Sequence, residues 1–446
     1  MAEYGTVHKT HSFCHLFLKT FETRYPATRS ENPPLTPLYD SLSTNIPLPV
    51  MAFPGFPFPP ETSLFPTAAV VQKYLEDYAV NFDLSRFVRL CTCVEKVYWD
   101  TDSREWDVTL STGERLKFDF VVVANGHYRK PRYPLATGLH SWLDSGRAMH
   151  SAWYRRPSEF AHHKTVMVVG GGPSAKDLCT DLMSIIPFLL HSIPPSPSQI
   201  ADTYPDDTET YRKVGRVVEY RDGGSVLLED DSIELNIDLV ILATGYEMSF
   251  PFFSQIKSEI PPLPPPLPNE LYNSTYHVFP LALHLFPLQA IFPPTSIAFP
   301  GLLYRVAPFP LFEDQARAIA EVLKDPASLD RLSSAVDIVA RVHTLMREKG
   351  TDSRLHIAKA WSRFALLEPF EYRAQLNAFS GRNWKAPECE VECWKNKVVL
   401  RREWEVIERS GKAGEWIKGV GMNGMDDWTG LCRKLIKQRE TSSCHG

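Results

Sequence analysis

The sequence predicts an α/β protein built on two similar three-layer halves, and three observations predict it. The first is Val166–Leu178, VMVVGGGPSAKDL. Four apolar residues have the pattern of a buried parallel strand, three glycines follow at once, and a helical pattern opens at Ser174-Ala175. The second is a repeat. DFVVVANG over 119–126 and DLVILATG over 238–245 share one plan, a buried strand that runs into an Ala-x-Gly turn after an antiparallel segment. The third is composition. The chain has 446 residues, 43% hydrophobic and 23% charged. At roughly 100–200 residues per domain it can bury two or three cores.

Gly170, Gly172 and Ala175 form a G-x-G-x-x-A run between the strand and the helix. In that context the first glycine makes a tight turn, the second lets backbone approach a pyrophosphate, and a small third residue lets helix and strand pack closely. The helix N-terminus then offers free N–H groups and a positive dipole end. Pro173 suits a first helical turn, where its missing N–H is no loss. The halves are therefore read as Rossmann-like, and this one as dinucleotide-binding. The first copy should begin with a similar fingerprint upstream of residue 34, but no G-x-G-x-x-G stands before residue 170.

Residues 1–33 are polar and irregular, with no clean apolar core of a signal peptide. Pro34–Pro60 is rich in proline and aromatics and reads as ordered loop. A helix begins at Thr67, with Val71, Tyr74, Leu75, Tyr78, Ala79 and Phe82 on one face. Strand signals follow over Phe87–Val97, at Trp106, Val108 and Leu110, and at Leu116 and Phe118, as a small meander. After the fingerprint helix, Phe188–Ser192 reads as a strand, and Arg221–Gly224 as a hairpin turn. Pro261–Pro268 is loop, Asp314–Leu323 a helix, and the last third helical and charged. Its tryptophans, at 384, 394, 404, 416 and 428, read as packing anchors.

Net charge is −5 and no basic run occurs, which argues against a nucleic-acid surface. No stretch reaches about 18 uninterrupted apolar residues, so no membrane span is expected. Eight cysteines, at 14, 91, 93, 179, 389, 393, 432 and 444, make no disulfide framework and point to a reducing, cytoplasmic setting. Cys91 and Cys93 would face the same way on a strand and read as plain thiols. Cys389 and Cys393 lack two further ligands nearby, so no metal site is expected.

Several motifs, in order, resemble the flavin-containing monooxygenases, especially their soluble fungal members. Leu42-Ser-Thr-Asn45 is similar to the family's L-x-T-N loop, and Phe56-Pro-Phe-Pro59 to its F-P-F-P segment. Gly146-x-x-x-His150-x-x-x-Tyr154 matches the core of its F-x-G-x-x-x-H-x-x-x-Y identifier, with Asp144 in place of the leading aromatic. Gly170–Asp177 resembles its pyridine-nucleotide loop, Asp238–Tyr246 its A-T-G-Y turn, and Leu302–Ala316 the segment that returns to the flavin domain. The resemblance implies FAD and NADP as cofactors and an NADP domain, about 134–249, inserted into a FAD domain formed by 34–133 and 250–330. Before it stands the irregular 1–33, and after it a helical region, 331–446. It implies that NADPH reduces FAD, that reduced flavin and oxygen form a C4a-hydroperoxide, and that a sulfur or amine nitrogen is oxygenated. The partners implied are a small nucleophilic substrate and O2, with no nucleic acid and no membrane; a homodimer stays open.

The resemblance also assigns residues. Gly170, Gly172, Ser174, Ala175 and Asp177 would surround the nicotinamide nucleotide, although Asp177 reads equally as a first-turn acid on the helix dipole. Thr44 and Asn45 would meet nicotinamide and isoalloxazine, with the Asn45 amide as the catalytic group, able to donate and accept without adding charge. An Asx turn is the alternative for Asn45. Val94, Ala124, Asn125 and Gly126 would approach FAD, with Asn125 where threonine is commoner. Thr244, Gly245 and Gln315 fall at cofactor positions, and His150 and Tyr154 are supports at the entrance of the nucleotide domain. No acid ends Phe188–Ser192, which weighs for NADP over NAD, but no arginine follows at once. The missing first glycine loop has two explanations: a truncated or misassigned start, or a remnant that binds NADP(H) without stable FAD. A flavin disulfide reductase would need C-x-x-C or C-x4-C, and neither occurs; a Baeyer–Villiger oxygenase is a sister chemistry.

Overall fold

The computed structural model describes Pro34, residues 36–193 and residues 204–443; the irregular segment expected over 1–33 lies outside these. The chain divides into two compact units. One comprises Thr44–Gly126 and Met248–Gly446, the other His127–Glu247 and the segment that ends at Ser43. The boundaries expected at 133/134 and 249/250 thus fall at 126/127 and 247/248. Residues 36–43, expected with the first unit, belong to the second because hydrogen bonds fasten them there. Tyr39 OH donates to Asp177 Oδ2 at 2.5 Å and Ser41 Oγ to Asp181 Oδ2 at 2.6 Å. The C-terminal helical region belongs to the first unit, since Trp394, Trp404 and Trp428 share one core with Leu48, Phe58, Phe65 and Tyr74.

In the first unit, α1 (Ala68–Asn81) follows Thr67, as its periodicity predicts, and buries Tyr74 and Ala79. A meander follows: β1 (Val94–Asp100), β2 (Glu105–Leu110) and β3 (Arg115–Phe118). It is antiparallel, with Trp99 opposite Trp106 and Trp106 opposite Phe118. The strand expected from Phe87 starts only at Val94. Leu84–Phe87 is a tight 3₁₀ turn and Cys91 has φ +54°, so Cys91 and Cys93 precede the strand and are not a same-face pair on it. β4 (Val121–Val122) then leads into the Ala-Asn-Gly turn.

The second unit is organised around a parallel sheet. Its strands are β5 (Ala148–His150), β6 (Thr165–Val169), β7 (Phe188–Ser192), β8 (Tyr211–Val214) and, after a second meander of β9 (Val217–Arg221), β10 (Ser225–Leu228) and β11 (Ile233–Glu234), β12 (Leu239–Leu242). The order is β5-β12-β6-β7-β8. Alternation along each strand separates two cores. Val166, Val168, Leu189, Leu239 and Ile241 pack with Ala175 and Leu178 of α2 (Pro173–Leu182). Met167, Leu190, Val240 and Leu242 pack with Trp142, Tyr220 and Val226 on the meander side. The result is three layers, helix, sheet and meander.

Back in the first unit, β13 (Ile297–Ala298) pairs in parallel with β4. α3 (Pro308–Lys324) starts earlier than the predicted Asp314, because Pro308 and Pro310 fit a first turn that needs no N–H there. α4 (Arg331–Lys349), α5 (Arg354–Trp361), α6 (Glu368–Phe379), α7 (Glu388–Lys395), α8 (Lys397–Arg409) and α9 (Met425–Ser443) complete it. No helix among the described residues is long and apolar enough to cross a membrane.

The two copies of the repeated strand have different surroundings. β12 has strands on both edges, and its four residues are 0–4% exposed. β4 pairs only with β13, and Val122 is 46% exposed. Asp238, at the head of the second copy, accepts from the N–H groups of Lys164 and Thr165 at 2.7 and 2.9 Å. Asp119, at the head of the first, has no hydrogen-bond partner among the described residues. Among the described residues the first unit therefore does not complete the three-layer Rossmann-like domain the repeat predicts. No strand among the described residues stands beside β4 as β6 stands beside β12.

His150, the last residue of β5, is fully buried. Its Nδ1 accepts from Ala152 N–H at 3.1 Å, and its Nε2 lies 3.0 Å from Gly245 O. A carbonyl can only accept, so Nε2 carries the proton and the ring is neutral. Burial pushes its pKa down to about 4.

Two predictions test this arrangement. Ile241→Ala is expected to cost about 2–5 kcal/mol, and Val122→Ala, at the matching place in β4, less than about 1 kcal/mol. Urea unfolding measures both, and equal losses would contradict a bare β4 edge. For His150 the folded pKa lies below the unfolded one. Its contribution is therefore complete above about pH 6.5 and fades as pH falls toward 4, by on the order of 3 kcal/mol. The urea midpoint of the wild type should fall more steeply across that window than that of His150→Gln; parallel curves would refute the buried neutral ring.

Candidate functional site

The turn Gly170–Gly172 and the first turn of α2 form the candidate site of the second unit. Gly170 has φ +139°, and a Cβ there would stand 2.2 Å from Ala243 O, at the end of β12. Only glycine fits so close to the neighbouring strand. Ala175 is fully buried, which gives the close helix–strand contact expected of the third small residue. Gly172 differs. It caps α2 with φ −100°, which any residue can adopt, and a Cβ on it would meet nothing within 4 Å. The space before Gly172 is open, and the first-turn N–H groups of α2 have no helical carbonyls to bind. A bare turn, a helix N-terminus and open space before them are the features that would suit a pyridine dinucleotide.

His191 holds the turn from beneath and was missed as a site residue. It is fully buried, its Nε2 lies 2.8 Å from Gly170 O, and its Nδ1 lies 2.9 Å from Tyr211 OH. The carbonyl fixes Nε2 as donor and leaves Nδ1 to accept from the tyrosine. Burial lowers the His191 pKa, and the bond to Gly170 opposes this only in part. The one sequence signal was its place near the strand end where a ribose-binding acid is customary. The arginine sought after Ser192 concerns residues that, over 194–203, lie outside the described ones.

The Ala-Thr-Gly turn braces the same region. Thr244 Oγ1 donates to Arg132 O at 2.5 Å, and Gly245 O accepts from Arg132 N–H at 2.9 Å and from His150. Tyr154 is fully buried, with its OH donating to Asp181 Oδ2 at 2.9 Å and its ring edge-on to Tyr39. His150 and Tyr154 are thus supports whose polar atoms are engaged by protein. Asp177 receives Tyr39 OH, so its carboxylate ties down the 36–43 segment. That tie holds the Tyr39 pKa well above the usual phenol range, with burial the larger cause.

In the first unit the assigned residues fall into two groups. Asn45 is exposed, and its amide makes no hydrogen bond among the described residues, so the Asx turn is not formed. Thr44 Oγ1 donates to Ile46 O at 3.0 Å and its N–H to Pro66 O at 3.0 Å, which fixes the loop beside it. Val94 is 42% exposed, and Ala124, Asn125 and Gly126 are exposed at the end of β4, with Asn125 Nδ2 donating to Ser249 O at 3.0 Å. Gln315 differs from the assignment. It is fully buried, accepts from Gly301 N–H at 3.0 Å and donates to Tyr372 OH at 3.2 Å, so it pins the turn before α3. For FAD the fit is incomplete: a strand end is present, but among the described residues no glycine turn opens a helix beside β4.

Comparison with known proteins agrees with these features. The flavin-binding monooxygenase-like family model matches residues 27–192 and 210–359. A GS-OX-like flavin-containing monooxygenase of Arabidopsis thaliana is 31% identical over 380 residues, 81% of this chain and 74% of that one. The thiol-specific monooxygenase of Saccharomyces cerevisiae is 30% identical over 69% of this chain and 70% of its own. Among solved structures, the S-allyl-L-cysteine S-oxygenase of Allium sativum aligns with a TM-score of 0.66 at 26% identity, over 86% and 85% of the two chains. Cyclohexanone monooxygenase, at 15% identity and a TM-score of 0.54, shares the fold. A model match over most of the chain, an identity of 31% and the cradle at Gly170–Ala175 lead to one assignment: the chain belongs to the flavin-binding monooxygenase-like family and is a flavin-containing monooxygenase, an oxidoreductase.

Proposed function

We propose that this protein oxygenates a soft nucleophile, a sulfur or an amine nitrogen, with NADPH as reductant. In net terms substrate, NADPH, H⁺ and O2 give the S- or N-oxide, NADP⁺ and water. The observation that carries the reading is the open space before Gly172 at the start of α2. There the coenzyme pyrophosphate would rest on the N–H groups of the turn, with Gly170 and His191 holding the turn's shape. The substrate class is supported by relatives whose names state it: the thiol-specific monooxygenase and the S-allyl-L-cysteine S-oxygenase. FAD, when bound, supplies the electron transfer to oxygen. Asn45, exposed and unspent, is proposed as the amide that meets the reacting groups, because it can donate and accept without bringing charge into a dry site.

A second reading rests on the bare edge of β4. Without a glycine turn beside that strand, the chain would bind NADP(H) and not retain FAD. Visible absorbance separates the two. A yellow protein bleached by NADPH supports the oxygenase, and a colourless one that still binds NADPH supports the remnant.

Two further measurements follow from the site. Gly172→Ala adds a methyl group where no protein atom stands within 4 Å, so folding is expected to be unchanged. NADPH affinity by calorimetry should drop by about tenfold or more, since a pyrophosphate needs close backbone approach there; an unchanged affinity would remove the coenzyme from this turn. Asn45→Ala is expected to keep NADPH binding and melting temperature but to lower oxide formation from thioanisole or N,N-dimethylaniline by about 10²-fold, the scale of losing one preorganised donor. Wild-type rates in that variant would exclude Asn45.

A further inference from the structure

A cleft of about 250 Å³ lies in the first unit, between the Pro49–Pro57 segment, whose first residues end the short helix Leu48–Met51, the start of α3 and the helices α6, α7 and α9. No residue assigned to coenzyme, flavin or catalysis lines it. Its walls are largely proline and aromatic: Pro49, Pro54, Pro57, Pro310, Phe53 and Trp384 among them. Trp384, expected as a core anchor, is half-buried and lies against the Arg373 guanidinium, 4.4 Å from ring centre to Cζ.

Arg373 is the unusual member of the lining. It is 3% exposed. Its Nε donates to Asp314 Oδ2 at 2.8 Å and its Nη1 to Glu390 Oε1 at 2.6 Å. Among the described residues its Nη2 makes no hydrogen bond. Nη2 is not among the buried polar atoms that lack a partner, so it keeps access to solvent in the cleft and can donate to whatever occupies it. The surroundings decide what that can be. Two arginines, 317 and 373, face three carboxylates, Glu313, Asp314 and Glu390, through direct ion pairs. An anionic ligand would add charge beside carboxylates already in excess. A cationic one would meet Arg373 itself. A purely apolar one would leave Nη2 unsatisfied.

We propose that this cleft binds a small neutral molecule with an apolar, preferably aromatic, body and one carbonyl-type oxygen, which accepts from Arg373 Nη2. The body lies against the prolines and Trp384. The volume is below the roughly 300–1,000 Å³ of drug-sized sites, so the ligand is compact. The site is independent of the coenzyme and of the oxygenation reaction, and it is tested without either.

Cys389 lines the cleft and is partly buried, so its reaction with methyl methanethiosulfonate, read by peptide mass spectrometry, reports occupancy in the wild-type chain. Acetophenone is the neutral acceptor probe. Ethylbenzene, benzoate and benzylammonium have the same body with no acceptor, a negative charge or a positive one. Acetophenone is expected to protect Cys389 at concentrations about tenfold or more below the other three, the scale of one hydrogen bond to a charged donor. The exposed Cys91 and Cys93 should react at unchanged rates. Arg373→Lys should erase the advantage of acetophenone over ethylbenzene. Cys389→Phe, which fills the cleft from a partly exposed position, should abolish saturable acetophenone binding in equilibrium dialysis. No protection of Cys389, equal protection by ethylbenzene, or stronger protection by benzoate or benzylammonium would each overturn the proposal.

Discussion

A parallel strand buried between two apolar layers must spend its backbone hydrogen bonds on both edges, and the second unit is arranged around a strand that does so. β6 has β12 on one side and β7 on the other. This flanking shapes the turn that follows. Gly170 leaves β6 so close to the end of β12 that no side chain fits, while His191, from β7, takes its carbonyl. The turn is thus gripped from both neighbours, and Gly172 is left facing open space. The shape of the turn is the product of strand pairing more than of any side chain beside it.

The same constraint explains the first unit. β4 has the repeated sequence and the repeated Ala-x-Gly turn, yet among the described residues it has one neighbour where β12 has two. Its valines are therefore partly exposed, and among the described residues the aspartate at its head receives no backbone amide. The contrast between Asp119 and Asp238 is the clearest sign of what is lacking. One and the same side chain is a two-fold acceptor in one copy and, among the described residues, makes no hydrogen bond in the other. The unit has another core, the one that residues 46–65 and the C-terminal tryptophans build together.

Much of the site was legible where chemistry depends on short spacing. Gly170 and Ala175 make the tight turn and the close helix–strand contact their order implies, and α1 begins after Thr67 as its apolar stripe requires. What escaped were partnerships across long stretches of chain. Asp177 was weighed between a nucleotide contact and a helix-dipole acid, and its visible partner is Tyr39, 138 residues away. Gln315 lay in a segment that resembles a cofactor-facing one, but it is spent on Gly301 and Tyr372. Trp384 reads like its neighbours in sequence, and only the buried Arg373 gives it a different task.

By itself the sequence determined the α/β character, the glycine turn between strand and helix, and the family, because periodicity, glycine spacing and turn residues act within a few positions of one another. The tertiary structure alone decided which strands have two neighbours among the described residues, which histidines are neutral braces, and that the Arg373 guanidinium lines a cleft. Those outcomes depend on which distant groups compete for the same hydrogen bonds, and a single amino-acid string carries no local mark of that competition.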